Sequence, residues 1–183
     1  DNHIDWLQVQ NFTGDGIVID GGAHNVLGSS GFDASLGNAG YGLRVRGTTA
    51  NGNSFRFGYI GRQLHAGVVP NALGGVMIGA GATNTTFGMA GDFNVHGNTG
   101  PGITLGSGTS GTVLGSGAFI GHLGANQGHG LVIDGATNTL VLQGAKIQGN
   151  IGDGIRVLAG IGNELWAGSV ANNGGLGINL VGP

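Results

Sequence analysis

Apolar and polar positions along the 183 residues recur in a fixed phase. A glycine followed by an apolar-x-apolar triplet occurs seven times: Gly16-Ile17-Val18-Ile19, Gly42-Leu43-Arg44-Val45, Gly75-Val76-Met77-Ile78, Gly102-Ile103-Thr104-Leu105, Gly130-Leu131-Val132-Ile133, Gly154-Ile155-Arg156-Val157 and Gly177-Ile178-Asn179-Leu180. Successive key glycines lie 26, 33, 27, 28, 24 and 23 residues apart. Those intervals are short for a strand plus a crossover helix, and no segment within them has a helical apolar period. Each interval therefore reads as one coil of strands and bends. Within a triplet, the period of two sends the first and third side chains inward and the middle one outward.

An Asn stands four residues before the key glycine in six coils, at Asn38, Asn71, Asn98, Asn126, Asn150 and Asn173. Asn and Gly accept positive φ at low cost, so these positions predict a bend at the same place in each coil. Stacked Asn side chains can also bond from coil to coil. A second set, Asn25, Asn53, Asn84, Asn138 and Asn163, precedes apolar stretches such as Val26-Leu27, Phe55-x-Phe57 and Leu140-Val141-Leu142. A third apolar set holds Ile60, Phe93 with Val95, Phe119 with Ile120, Ile147 and Val170. Three short strands per coil, stacked in parallel about 4.8 Å apart, predict an all-β triangular solenoid of about seven coils and roughly 30 to 35 Å, with residues 1–183 as one domain. No coil buries enough apolar surface to fold by itself; stacking supplies the deficit.

Composition narrows the picture. With 44 glycines, six Lys or Arg and nine Asp or Glu, the chain is unlike an ordinary globule, yet its 39% hydrophobic content supports an ordered core. A net charge of −3 and the lack of a basic stripe argue against a nucleic-acid partner. There is no cysteine, so neither disulfides nor thiolate metal sites are available. No run approaches the roughly 20 apolar residues that span a bilayer, so no membrane insertion is expected. The start at Asp1 suggests a processed or excised part of a larger protein.

In this phase, Gly149-Asn150-Ile151-Gly152-Asp153-Gly154-Ile155-Arg156-Val157 resembles the bacterial right-handed parallel β-helix repeat family of the pectate-lyase-like superfamily. The stretch Asn172-Asn173-Gly174-Gly175-Leu176-Gly177-Ile178-Asn179-Leu180 is similar to the last coil of large secreted or cell-surface proteins of that type. The resemblance implies a single-stranded right-handed β-helix and an extracellular location. It does not select one activity, since the superfamily includes lyases, epimerases, tailspikes and adhesins.

Coil register nominates outward neighbours. Asp20 and Arg46 each lie four residues after their key glycine, as a surface ion pair would. His129 and Asp153 each precede one, which fits a bend contact better than an Asp-oriented general base. The longest interval carries Arg62-Gln63-Leu64-His65 in a loop leaving the third strand, with Asp33, Asp92, His96 and His122 at comparable positions in nearby coils. The resemblance implies an Arg or Lys base acting on a sugar carboxylate; Arg62, His65 and Asp92 are the catalytic candidates, and Tyr59, His96 and His122 the substrate-binding ones. The acidic calcium cluster of pectate lyases and the Asp-Pro-His motif of alginate epimerases are both missing, and Lys146 is the only lysine. No metal and no cofactor is expected. Trp6, Tyr41, Tyr59 and Trp166 could stack on sugars or pack at coil edges.

The sequence therefore favours an extracellular structural rod or assembly subunit without catalytic activity of its own. The alternative is a β-helix that binds or processes a polysaccharide. Both ends read as open strand edges: Ile4-Asp5-Trp6-Leu7-Gln8-Val9 alternates like part of a first coil, and the last apolar triplet leads directly to Pro183. End-to-end homo-oligomers, or adjoining domains of a parent chain, are the expected partners.

Overall fold

In a computed structural model that describes residues 1–30, 33–63, 67–166 and 168–181, the chain is a parallel β-helix of seven coils, and the described residues contain no helix. Each coil contributes one strand to each of three seven-stranded parallel sheets. Sheet I runs from His3–Ile4 through Ser54–Phe55 and Val113–Leu114 to Glu164–Leu165. Sheet II runs from Gln8–Gln10 through Gly58–Ile60, Phe93–Val95 and Ala118–Ile120 to Ser169–Ala171. Sheet III consists of the seven repeat triplets, from Ile17–Asp20 to Ile178–Leu180. Their register is as predicted, with Val76 standing between Leu43 and Ile103, and Ile155 between Leu131 and Ile178.

Alternation sorts each strand. Leu43, Val45, Ile103, Leu105, Leu131, Ile133 and Ile155 point into one core shared with Phe55, Phe87 and Leu114 of sheet I and Ile60, Val95, Ile120 and Ile147 of sheet II. Phe55 and Phe87 stack at 5.1 Å between ring centroids, and Phe93 from sheet II tilts against both. Gly58, next to Phe93 in the ladder, carries no side chain to compete for that space. Ser35 is the polar member of the inward column, and its hydroxyl donates to Gly42 O while accepting from Asn38 Nδ2.

The bend between sheets II and III is an amide ladder. Asn38, Asn71, Asn98, Asn126, Asn150 and Asn173 each pass a bond to the next, with Nδ2–H donating to Oδ1 at 2.9 Å in all five steps. The positive φ expected of these residues belongs instead, in four of the six coils, to the residue before: Gly37, Gly97, Gly149 and Asn172 have φ of 67°, 71°, 70° and 55°. The ladder Asn is thus chosen for its hydrogen bonds. The key glycine after it is chosen for space: a Cβ on Gly130 would lie 2.6 Å from Gly154 O and 2.7 Å from Asn150 Nδ2.

The bend before sheet I corrects the second Asn set. Asn84 and Asn138 take positive φ, as do His24, Gly52, Gly111 and Gly162 at the same point of other coils. The ladder position is one residue later, and there the chain has Asn2, Asn25, Asn53, Thr85, Thr112, Thr139 and Asn163. The five Asn residues are therefore two classes one register apart, because Asn suits both a left-handed backbone and an amide ladder.

Candidate functional site

The outward column of sheet II runs Gln8, Ala34, Tyr59, Asn94, Phe119, Lys146 and Ser169 across the seven coils. Phe119 belongs here and not in the core, because Ala118 and Ile120 are the inward residues of that strand. Asp92 and His96 flank the same face on either side of Phe93–Val95. The segment after Ile60 is a short antiparallel hairpin, with Arg62–Gln63 paired to Gly67–Val68, where a loop was expected. Val68 rests over Gly97, and the Arg62 side chain reaches Gly124, so the hairpin crosses from coil 3 onto coils 4 and 5. Arg62, Asp92, Tyr59, His96 and His122 accordingly share one flank of the tube. His65 lies outside the described residues.

Arg62 and Asp92 share this flank without an ion pair between them. Among the described residues the ion pairs are Arg44 with Asp15 and Arg46 with Asp20, and the His129 ring lies 3.4 Å from the Asp153 carboxylate, so Arg62 and Asp92 are not joined. His96 is wholly buried and neither ring nitrogen has a hydrogen-bond partner. Burial, followed by the charges of Arg62 and His122, pushes its pKa down to about 4. His96 is a neutral packed ring at pH 7, its centroid 6.3 Å from that of Tyr59. Burial, and then the charge of Asp92, raises the Tyr59 phenol above its ordinary value.

The exposed part of the face is polar and cationic. His122 Nδ1 is 3.2 Å from Gln148 Oε1, and Gln148 Nε2–H donates to Ser169 Oγ at 2.6 Å. The Lys146 ammonium stands 5.1 Å from the centroid of the Phe119 ring, and the centroid of the His122 ring lies 6.0 Å from it. Sequence reasoning missed Asn94, Phe119, Lys146 and Gln148 as members of this face. The available signal was the inward Ala118 to Ile120 alternation, which places Phe119 outside. Among the described residues no three His, Asp or Glu side chains converge as a metal site would require.

Two contacts on sheet III stand as the register predicts. Arg46 Nε–H and Nη2–H both donate to Asp20 Oδ2, at 3.0 and 2.8 Å, on an exposed surface. His129 Nδ1 accepts the backbone N–H of Asp153 at 2.8 Å, while Asp153 Oδ1 accepts that of Leu176 and Oδ2 accepts Asn179 Nδ2–H. Asp15 does the same for Tyr41 N–H at 2.7 Å. These side chains hold successive bends together, and His129 serves as an acceptor in that series, not as a base poised by Asp153. The bonds from Asn179 and Leu176 are the first causes that hold the Asp153 carboxyl below its ordinary pKa. Trp6 and Trp166 are 72% and 65% exposed, which removes them from the core.

No family model matches the chain, and no curated protein sequence does. Among solved structures, the A-module of the mannuronan C-5 epimerase of Azotobacter vinelandii is similar at 16% identity and a TM-score of 0.47. The match covers 94% of this chain and 57% of that one, so this chain spans little more than half the length of that module.

Proposed function

We propose that this chain is a non-catalytic extracellular β-helix rod whose sheet II flank binds an acidic polysaccharide laid across coils 3 to 6. One observation carries the reading: Arg62 and Lys146 occupy a single flank with no acidic partner at ion-pair distance, although the protein as a whole is acidic. A polyanion supplies the missing counter-charge. The Phe119 and Tyr59 rings between them offer apolar faces to sugar C–H groups, and His122 and Gln148 offer polar atoms in neighbouring coils. Catalysis is left out because the one buried histidine is neutral and sealed, and Arg62 is not paired with a carboxylate that could complete an acid-base couple. Calorimetry against a polyuronate and a neutral polysaccharide tests this. Salt-sensitive binding to the polyuronate alone is expected, weakened about fivefold or more by Lys146→Ala or Arg62→Ala. Equal binding to the neutral polymer overturns the cationic face, and release of unsaturated sugar overturns the non-catalytic reading in favour of a lyase.

A further inference from the structure

Three bends that lead into sheet III are built on one plan. The side chain just before a key glycine accepts the backbone N–H of the equivalent residue one coil on, and it also meets the outward side chain in the middle of that next coil's triplet. Asp15 takes Tyr41 N–H on Oδ1, and its Oδ2 lies 3.4 Å from Arg44 Nη1. Asp153 takes Leu176 N–H on Oδ1 and Asn179 Nδ2–H on Oδ2, both at 2.8 Å. His129 takes Asp153 N–H on Nδ1 at 2.8 Å, and its Nε2 stands 3.0 Å from Arg156 Nη1. Gly152 leaves room for the ring, since a Cβ there would lie 2.7 Å from Nδ1.

A carboxylate has two oxygens for those two donors, whereas a neutral imidazole has one free lone pair and an imidazolium none. The Asp153 N–H occupies the lone pair at Nδ1, so Nε2 carries a hydrogen and faces a guanidinium N–H. Two donors therefore meet at 3.0 Å, and neither can accept from the other. Arg156 is short of acceptors elsewhere too: its Nε is buried without a hydrogen-bond partner, and among the described residues no carboxylate stands at ion-pair distance from its guanidinium. Its neighbours in the outward column, Val132 and Asn179, bring no charge.

We propose that His129 and Arg156 form an oxyanion site on sheet III, in which one oxygen of a carboxylate or sulfate group accepts both His129 Nε2–H and Arg156 Nη1–H. The ligand oxygen does in this bend what Asp15 Oδ2 does toward Arg44, and the charge on the guanidinium favours an anion over a neutral acceptor. The His129 side chain is 25% exposed, so the group enters from solvent. The site lies on a different face from the sheet II flank and does not depend on what that flank binds.

NMR of the imidazole and guanidinium groups of the 183-residue chain at mildly alkaline pH, titrated with sulfate, galacturonate and galactose at constant ionic strength, tests this. His129 should show a bare Nδ1 and a proton on Nε2. Sulfate and galacturonate should shift the His129 and Arg156 signals saturably, and galactose should leave them in place. Equal affinity for the two anions makes the oxyanion alone the ligand; galacturonate tighter by about tenfold makes it an acidic sugar. His129→Asp, which supplies both acceptors, and Arg156→Leu should each weaken binding about tenfold or more, read from the partner side chain that remains. Circular dichroism checks both folds, and His129→Asp should also raise the thermal midpoint. A proton found on Nδ1 overturns the proposal, because Arg156 then simply donates to Nε2. So do signals indifferent to both anions, since water then meets the two donors.

Discussion

The two laddered bends of each coil solve one geometric problem with different chemistry. In most coils each places a residue of positive φ first and a ladder residue next, and the ladder residue is buried from coil 2 to coil 6. Between sheets II and III the ladder residue is Asn in six consecutive coils, and every Oδ1 from Asn71 to Asn173 receives a side-chain N–H from the coil before. Before sheet I the ladder is Asn in coils 1 to 3, then Thr85, Thr112 and Thr139, and none of these three buried hydroxyls has a partner. Thr has no amide to span the coil spacing, so the polar column breaks where it begins. The difference teaches that the stack needs backbone registration at both bends but side-chain bonding at only one.

The largest test of that difference uses coil 5. Asn126 accepts from Asn98 and donates to Asn150 Oδ1 and Val95 O. Asn126→Val leaves several of these buried groups unmatched and should cost on the order of 3 kcal/mol in denaturant unfolding. A loss below about 1 kcal/mol would mean that the amide ladder is ornamental.

Acid offers a second lever, acting beside the Asn bend. His96 O accepts from Asn98 Nδ2, and the buried His96 ring lies two residues before that ladder position. Its folded-state pKa, about 4, lies below the ordinary 6.5. The unfolded chain therefore takes up the proton first, so stability is full above about pH 6.5, falls as pH drops toward 4, and levels off below it. The loss attributable to this ring is about 3 kcal/mol. Unfolding midpoints at pH 7 and 4.5 for wild type and His96→Leu should show a smaller acid loss in the variant. Equal acid losses would place the sensitivity elsewhere.

The smallest effect is expected at the other bend of coil 5. Thr112→Val keeps the shape and removes an unmatched hydroxyl, so stability should change by less than about 1 kcal/mol, in the favourable direction. A marked destabilisation would show that the Thr column is bonded in solution after all.

Sheet III was legible in full, because each triplet pairs a key glycine with a strict two-residue alternation, and the Asn ladder was legible because six copies share one offset from that glycine. Other features were hidden for stated reasons. Asn84 and Asn138 looked like ladder residues because the same side chain suits a left-handed backbone. Phe119 looked like core because a three-residue strand alternates too briefly to outweigh its size. The candidate face was partly visible, since five of its residues were named, but their roles were not. The burial of His96 depends on a hairpin that arrives from the preceding coil and lays Val68 over Gly97, a contact no local pattern encodes.

Every amide of the Asn ladder points the same way, Nδ2–H toward the higher-numbered coil and Oδ1 toward the lower. Aligned amide dipoles add, as peptide dipoles do along a helix, and each bond polarises the next. The Oδ1 to Nδ2–H chain therefore contributes an axial dipole to this bend, positive toward Asn173 and negative toward Asn38. No ladder group titrates, so acid and base leave this field unchanged while the folded coils persist. A column of chemically similar coils is thereby made electrically directional along this bend.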